Sequence, residues 1–428
     1  MTETRALPCA LPDTPLAAAR PGIDACVHCG FCLQACPTYV TLEDENDSPR
    51  GRIVLMRSLL EGELALDDPD VRTHIDRCLG CRGCETACPS GVPYGQLLEA
   101  TRATLTLARP APLVARIILG VFARPVLLRA SLTGARLFRA TGLPALLSRL
   151  PGRIGFAMAM LASTSPSFPR RRYEPTPPER QRGSVALLRG CVMDGLYGHV
   201  HEATERTLRA NGYAPCGAPG QRCCGALHAH AGDLETAREL ARVNVDAFER
   251  SGAEQVVVNS AGCGAMMKEY AHLLADDPEW AERARAISLR VRDVSELLAE
   301  AGPAPAGPLP VRVTYDAPCH LLHGQRVVRP PLRVLEAVDG LELVPLTDAD
   351  MCCGSAGIYN LIEPDTSDAV LDPKLRNIRD TGVPWVATGN PGCMMQIGAG
   401  LRRHGIAARV VHPVEVLDAG YGRVEDRK

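Results

Sequence analysis

The alternation of apolar and polar residues changes its period along the chain, and this change predicts the folded elements. From Ser184 onward, short apolar runs typical of strands, such as "SVALLRG", "EQVVVNS", "RVTYDA", "PWVAT" and "ARVVHPV", alternate with helix-type segments such as "DLETARELARVNVDAFERSG". Strands that alternate with helices favour a parallel sheet. The C-terminal part is therefore predicted to be α/β.

This C-terminal part also repeats itself. Three landmarks recur at nearly the same offset: Cys191 and Cys319 are 128 residues apart, Cys223 and Cys352 are 129 apart, and Cys263 and Cys393 are 130 apart. Such an offset predicts the duplication of one unit. We expect the first unit to span residues 184–305 and the second to span residues 306–428.

The period upstream is helical. Ile53, Leu55, Met56, Leu59 and Leu60 recur at helical spacing. Ser48 precedes them as a predicted N-cap, with Pro49 at the first helical position. A helical connector is therefore expected between the two cysteine motifs described below.

The segment from Thr101 to Tyr173 is apolar but contains twelve arginines, no lysine and no acidic residue. Its prolines predict several short helices rather than one long helix. Two interpretations stay open: a basic amphipathic surface that lies on anionic lipid, or a helical bridge packed between domains. With the proline-rich linker that follows, we assign residues 101–183 to this segment.

Composition narrows the class of protein. At 428 residues the chain exceeds the usual size of a single core, and 47 basic against 49 acidic residues argue against bulk nucleic-acid binding. The N-terminus shows no signal-peptide pattern, and no run of 18 uncharged apolar residues occurs. A cytoplasmic location is expected, where clustered cysteines favour metal binding over disulfides.

Eight of the 18 cysteines form two copies of the motif C-x2-C-x2-C-x3-C-P, in "CVHCGFCLQACP" and "CLGCRGCETACP". In this spacing three thiolates hold one [4Fe–4S] cluster and the fourth holds the other. Structural zinc fits poorly, because it usually takes two separated C-x2-C pairs. The predicted ligands are Cys26, Cys29, Cys32 and Cys88 for one cluster, and Cys78, Cys81, Cys84 and Cys36 for the other.

Each repeated unit carries four further cysteines, placed just after predicted strands. They should meet at the carboxyl edge of a sheet, where open α/β sheets bind ligands. An additional iron–sulfur cluster, a zinc ion and buried core cysteines all stay open as interpretations. The candidates are Cys191, Cys223, Cys224 and Cys263 in the first unit, and Cys319, Cys352, Cys353 and Cys393 in the second; Cys9 and Cys216 are read as incidental.

The motifs "CVHCGFCLQACPTY", "DSPRGRI", "CLGCRGCETACPSGVPYG", "CCGALHAHAGD", "CHLLHGQ" and "MCCGSAG" resemble, in this order, the iron–sulfur subunits of glycolate oxidase. The resemblance implies an α+β multidomain protein. Residues 1–100 would form an α-helical ferredoxin domain with two [4Fe–4S] clusters, followed by the helical linker and two duplicated α/β CCG units. Related CCG units occur in heterodisulfide reductase, in the anaerobic glycerol-3-phosphate dehydrogenase and in lactate-utilisation proteins.

The family resemblance implies that FAD-bearing partner subunits oxidise glycolate to glyoxylate and that this chain passes electrons towards a quinone-type acceptor. It implies no catalytic residue here, and peripheral contact with the inner face of the cell membrane is one expectation. Glycerol-3-phosphate or D-lactate as the substrate of the complex stays open, as does thiol/disulfide chemistry like that of heterodisulfide reductase. The latter is disfavoured because Ser260 and Asn390 replace that relative's fifth cysteine.

Four histidines near the unit cysteines are candidates to ligate metal or to tune a cluster through hydrogen bonds. Hydrogen-bonding or packing roles are favoured, because each unit already offers four thiols. These histidines are His228, His230, His320 and His323.

Overall fold

The structure is a computed structural model that describes residues 9–169, 173–175 and 178–424. Its first described segment is helical. The bounds are α1 Pro15–Ala18, α2 Arg20–Asp24, α3 Pro37–Leu42, α4 Pro49–Glu61, α5 Pro69–Asp76, α6 Gly83–Ala87 and α7 Tyr94–Ala108, with a 3-10 turn at Glu45–Asp47. Helix α7 is continuous across residue 100, so the expected division there falls inside a helix.

Helix α4 is the expected connector between the cysteine motifs. The Ser48 hydroxyl accepts a hydrogen bond from the Gly51 amide at 2.9 Å, which caps the helix, and Pro49 occupies its first turn. Ile53, Met56 and Leu59 on one face are buried in the core of this domain. The local sequence and the packing therefore agree on where this helix begins.

Arg52 is also buried on α4, although arginine is rarely fully buried without partners. It donates to Asp47 at 3.1 Å, to the Thr38 hydroxyl at 3.1 Å and to the His74 carbonyl at 2.6 Å. Arg77 approaches the same Asp47 carboxylate at 3.1 Å. This network ties the segment after the first motif to the helix before the second.

The arginine-rich segment forms short helices, as expected. They are α8 Leu113–Ala123, α9 Pro125–Ala140, α10 Leu143–Leu147 and α11 Gly152–Ser163. Prolines mark their beginnings: Pro112 and Pro151 are N-cap residues, and Pro125 and Pro144 lie in first turns. Within the described residues no single helix is long and apolar enough to cross a membrane; α7 and α8 pass only as a pair, bent by 114°.

The first repeated unit is a four-stranded parallel sheet with helices on it. Its elements are β1 Gly183–Leu187, α12 Val192–Leu196, α13 Gly198–Ala210, β2 Tyr213–Cys216, α14 Ala226–His230, α15 Leu234–Ser251, β3 Gln255–Val258, α16 Ala261–Lys268, α17 Tyr270–Leu273, α18 Ala281–Arg290, β4 Val291–Asp293 and α19 Val294–Ala301. The strand order is β2-β1-β3-β4, with Ala186 opposite Val256 and Val257 opposite Arg292.

The second unit repeats this architecture. Its elements are β5 Arg312–Tyr315, a π-helical turn at His320–Gly324, α20 Pro330–Glu336, β6 Glu342–Val344, α21 Tyr359–Ile362, α22 Pro364–Thr381, β7 Trp385–Ala387, α23 Pro391–Arg403, β8 Arg409–Val411 and α24 Pro413–Val424. The order β6-β5-β7-β8 matches the first sheet strand for strand. The expected fold class, a helical N-terminal domain followed by two α/β units, is confirmed.

The two units share one core because each ends in a helix that packs on the other. Helix α19 of the first unit packs on α20 of the second, and α24 of the second packs on α13 of the first. The Arg206 guanidinium donates to the Asp418 carboxylate at 2.6 Å, and Asn211 donates to the Tyr421 hydroxyl at 3.0 Å across this contact. The exchange fixes the two sheets relative to each other.

The arginine-rich helices connect the units to the N-terminal domain. Helix α11 packs along α23, and α9 packs against α12. Arg102 donates to the carbonyls of Cys78 and His230, both at 2.7 Å, and so joins the N-terminal domain to the first unit. Other arginines of the segment are exposed, among them Arg116 and Arg124. The segment is thus a bridge on one side and a basic surface on the other.

Candidate cysteine sites

The first ferredoxin set, which we define as Cys26, Cys29, Cys32 and Cys88, lies near the surface. The first three follow α2 in a loop that turns at Gly30, whose φ is +86°, and Cys88 is the C-cap residue of α6. All four line one small cavity of about 30 Å³. Cys29 is exposed and the other three are partly buried.

The second ferredoxin set, defined as Cys36, Cys78, Cys81 and Cys84, lies deeper. These four line a cavity of about 10 Å³ together with Arg52 and Tyr94. The Gly80 amide donates to the Cys78 sulfur at 3.4 Å, and the Thr38 hydroxyl lies 3.3 Å from the Cys36 sulfur. Cys36, from the first motif, therefore sits with the three close cysteines of the second.

Gly83 lets the two motifs approach. A Cβ at this position would lie 2.8 Å from the Ala35 carbonyl oxygen, so a larger residue would push the motifs apart. Burial raises the pKa of Cys36, and the nearby Arg52 cation opposes that rise. Four soft sulfur donors facing one small space, with a buried cation beside them, fit an anionic iron–sulfur cluster.

The unit 1 set, defined as Cys191, Cys223, Cys224 and Cys263, gathers at the carboxyl edge of the first sheet. Cys191 follows β1, the Cys-Cys pair follows β2 and Cys263 lies in the first turn of α16 after β3. Gly225, with φ of +88°, makes the turn that follows the pair. The Cys191 and Cys223 sulfurs are 3.8 Å apart, and Cys224 hydrogen-bonds to Cys263.

Cys223 differs electrostatically from its neighbours. Contacts with Cys191 and Cys224 lower the pKa of Cys223, whereas the contact with Cys223 raises the pKa of Cys191. The Gly225 amide also stabilises the Cys223 thiolate. A lowered pKa favours the thiolate form, which is the form that binds metal.

The unit 2 set, defined as Cys319, Cys352, Cys353 and Cys393, repeats this arrangement after β5, β6 and β7. Cys319 and Cys353 both hydrogen-bond to Cys352, and Cys353 also hydrogen-bonds to Cys393. Gly354 has φ of +81°, and a Cβ there would lie 2.5 Å from the Ser367 carbonyl oxygen. Each set thus offers four sulfur donors, which fits an iron–sulfur cluster or a zinc ion.

A thiol of the second ferredoxin set reaches the unit 2 set. Cys81 packs beside Cys352, and the interaction with Cys352 raises the pKa of Cys81. Leu79, Tyr359 and Val370 pack around the two residues. Sequence analysis missed this junction because 271 positions separate the two cysteines and no local pattern marks it.

The positions of the absent fifth cysteines are occupied by polar residues. The Asn390 amide donates to the Cys393 sulfur at 3.5 Å and accepts from the Gly262 amide of the other unit at 3.1 Å. Ser260 is the N-cap residue of α16 and is buried. Asn390 therefore supports the unit 2 set and fastens it to the unit 1 side.

The histidines expected near these sets make mostly protein contacts. His228 bonds to the Leu119 carbonyl at 3.1 Å, His230 to Glu99 at 2.7 Å, and His323 to the Thr86 hydroxyl at 2.9 Å. His320 lies 3.6 Å from the Cys319 sulfur through Nδ1. Three of the four thus join the units to the preceding helices.

Cys9 and Cys216 stand apart from the four sets. Cys216 ends β2 and is exposed, and Cys9 packs at the edge of the N-terminal core. Neither lines the cavities that contain the other cysteines.

The structure also shows a buried ion pair that the sequence did not indicate. Lys374, on α22, donates to Asp316 at 2.7 Å, and only 2% of either side chain is exposed. The lysine also donates to the Asp348 carbonyl at 3.0 Å, just before the Cys352–Cys353 turn. Charge patterning on a helix carries no signal for such a pair, because its partner lies on another element.

The matches to known families follow this division of the chain. Residues 22–92 match the family described as 4Fe-4S dicluster domain. Residues 185–268 and 313–398 each match the family described as cysteine-rich domain.

Two similar proteins match over nearly the full length of the chain, and a third matches over 55% of it. The chain is 37% identical over 413 residues to the probable glycolate oxidase iron-sulfur subunit of Bacillus subtilis, with 92% of each chain covered. It is 36% identical over 408 residues to the glycolate oxidase iron-sulfur subunit of Escherichia coli, with 92% of this chain and 93% of that one covered. Lactate utilization protein A of Geobacillus thermodenitrificans is 34% identical over 238 residues, which are 55% of this chain and 98% of the relative.

Proposed function

This chain belongs to the family of glycolate oxidase iron–sulfur subunits, and from that premise we propose that it carries electrons from an FAD-bearing subunit that oxidises glycolate to a quinone-type acceptor. Its role in iron–sulfur electron transfer follows from the family. The identities of the substrate, the flavin partner and the acceptor are what we propose in addition.

We assign one [4Fe–4S] cluster to the first ferredoxin set and one to the second. The unit 1 and unit 2 sets would each hold a further cluster. When bound, such clusters supply one-electron carriers. The chain's own cysteines would hold them, and most cysteines of the second, unit 1 and unit 2 sets are more buried than Cys29 of the first ferredoxin set.

The observation that supports this proposal most is the serial order of the four sets. Cys29 of the first ferredoxin set is exposed, and Cys84 of the second set also lines the first set's cavity. Cys81 then contacts Cys352, and the unit 2 and unit 1 sets line a single larger cavity. These contacts support a series of sites from the exposed Cys29 to the cavity that the unit 2 and unit 1 sets share.

The surface around Cys29 suits a redox partner. Val27 is 67% exposed and Phe31 is 70% exposed, and both flank this cysteine in the sequence. An exposed apolar pair beside an exposed ligand is the kind of patch that a protein partner covers. We assign this surface to the FAD-bearing subunit.

The exposed side of the arginine-rich helices is the proposed site of peripheral membrane contact. Leu113, Val114 and Ile117 on α8 are 54–67% exposed, and Arg116 lies among them. Apolar side chains interspersed with arginine suit the interface of an anionic bilayer. This surface would place the complex on the inner face of the cell membrane.

Two measurements test the proposal. Anaerobically purified chain should contain about sixteen irons, from four [4Fe–4S] clusters; about eight would leave the unit sets to zinc or to structure. Dye reduction by the reconstituted complex should require glycolate. Activity with glycerol-3-phosphate or D-lactate alone would replace the substrate assignment and leave the electron-transfer role intact.

A further inference from the structure

We infer that the cavity between the unit 1 and unit 2 sets binds the ring of the quinone-type acceptor. This inference rests on the proposed function and gives it a location. The cavity has a volume of about 400 Å³. All eight cysteines of the two sets line it, so the clusters proposed above would fill the part beside the cysteines, and the ring would bind in the part beyond them.

One wall of the cavity is apolar. Ile118 and Phe122 of α8, Met160 of α11, Leu361 of α21 and Met395 of α23 line it. Apolar side chains with a few polar groups are typical of sites that bind flat organic rings. A small charged disulfide would find few partners on this wall.

The cavity reaches the surface beside the proposed membrane face. Ala111 and Pro112, in the break between α7 and α8, line the cavity, and Pro112 is exposed. The neighbouring Leu113, Val114 and Ile117 are the exposed apolar residues of α8. A ring that arrives within a bilayer would therefore meet the opening directly, without crossing water.

The other side of the cavity carries groups that can move protons. Glu99 lies 2.7 Å from the His230 ring, and 35% of the His230 side chain is exposed. The His230 and His320 rings are 5.3 Å apart, and Glu269, held by Arg82, completes this side. All of these residues line the cavity.

This arrangement can supply the electrons and the protons that quinone reduction requires. A quinone becomes a quinol by taking two electrons and two protons, one proton on each ring oxygen. The electrons come singly from the proposed carrier sites, and the protons come from water. His230 donates one proton to one ring oxygen and regains a proton from water through Glu99, and the other ring oxygen takes its proton from water that enters the cavity.

A cavity-filling substitution with a matched control tests the location. In the full-length, iron-loaded chain, Ile118→Trp should weaken decylubiquinone binding roughly tenfold or more, because the indole occupies the ring space. Leu289→Trp, at a position on α18 that is 65% exposed and lies outside the cavity lining, should leave binding unchanged. Equal binding by the wild type and Ile118→Trp would overturn the inference, as would equal loss in both variants.

A labelling experiment keeps the test decisive if Ile118→Trp fails to fold. An azido-quinone photolabel on the wild-type chain should mark peptides from residues 115–122 or 355–362, which line the cavity. Labelling confined to other peptides would contradict the location. Dye reduction with glycolate is measured in parallel, since its absence would count against the proposed function and not against the site.

The proton path has its own test. Glu99→Gln should keep decylubiquinone affinity while slowing its reduction by the reconstituted complex roughly tenfold. Ferricyanide takes one electron and no proton, so its reduction should be unaffected. An equal loss with both acceptors would show that Glu99 has only a structural role.

Discussion

Cys81 of the N-terminal domain packs beside Cys352 of the second repeated unit. The Tyr359 hydroxyl donates to the Arg77 carbonyl at 2.9 Å beside this contact, so the junction is packed and hydrogen-bonded. The duplicated units are therefore unequal: the second adjoins the ferredoxin sets, and the first lies across the cavity from it. The duplication gives two similar cysteine sets, and we propose that they occupy different positions in the series of electron carriers.

This inequality predicts different effects of matched substitutions. Cys352→Ser should cut acceptor reduction by the complex roughly tenfold or more while the ferredoxin sets still become reduced, because it interrupts the series at the junction. Cys223→Ser, at the corresponding position of the first unit, should leave the unit 2 site reducible. EPR of the glycolate-reduced complex measures which clusters become reduced in each of the two variants. Identical spectra from the two variants would contradict the order.

The ferredoxin assignment predicts which cysteines hold iron. Cys84→Ala should lower iron by about four per chain, the content of one [4Fe–4S] cluster. Cys216→Ala should leave iron unchanged, since this cysteine is exposed and outside the four sets. Iron and acid-labile sulfide analysis measures both variants. Loss of iron in Cys216→Ala would show that the ligand sets are misassigned.

The exposed arginines predict salt-sensitive binding to anionic vesicles. Arg116→Gln should weaken binding to phosphatidylglycerol vesicles about fivefold, because each arginine near such a surface contributes about 1 kcal/mol. Arg333→Gln is the control, since Arg333 is exposed on α20, outside the arginine-rich segment. Co-sedimentation at low and high salt provides the measurement. Equal loss in both variants would indicate net charge alone.

The sequence predicted the features that depend on local interactions, and it did not predict the contacts between elements that are distant along the chain. Ser48 and Pro49 predicted the start of α4 because capping is local, and the repeated cysteines predicted the two units because duplication leaves a constant offset. The exchange of α19 and α24 and the Cys81–Cys352 junction depend on how distant elements pack. The Lys374–Asp316 ion pair was also not predicted, because the pattern of residues along a helix does not show which residue after β5 will pack against it.

Asp293 predicts a stability that depends on pH. Burial raises the pKa of Asp293 to about 6, although it caps α19 and accepts from Ser295; Glu296 and Lys268 are the charged groups beside it. The folded state thus holds this proton more tightly than the unfolded chain, whose aspartate titrates near its usual value of about 3.9. The contribution of Asp293 to the free energy of unfolding is therefore full below about pH 4 and is lost as the pH rises to about 6.

Asp293→Asn should remove this pH dependence and keep the cap, because asparagine is an equally good N-cap residue. The thermal midpoint of the variant should match the wild type near pH 4 and exceed it at pH 7.5. Differential scanning calorimetry on the anaerobic protein measures the midpoints. A constant difference between the two proteins across this range would refute the assignment.

Breaking the Lys374–Asp316 ion pair should lower the stability of the protein strongly, whereas replacing both residues with apolar ones should lower it only a little. Among the described residues, Lys374→Met leaves the buried Asp316 carboxylate with only the Thr388 hydroxyl at 3.0 Å, and breaking such a pair costs about 3–5 kcal/mol. The change also removes the lysine donor from the Asp348 carbonyl, which then keeps the Met351 amide at 3.1 Å, just before the Cys352–Cys353 turn. Lower thermal stability and loss of the unit 2 iron are therefore expected together.

Two further variants separate charge burial from helix effects. Arg376→Met, at an exposed position of the same helix α22, should change neither property. Adding Asp316→Leu to Lys374→Met should recover most of the stability, because no unpaired charge then remains buried. It should not recover the iron, since the loop before Cys352 still lacks the lysine that donates to the Asp348 carbonyl. Recovery of both would mean that the pair acts on the unit 2 set through charge alone.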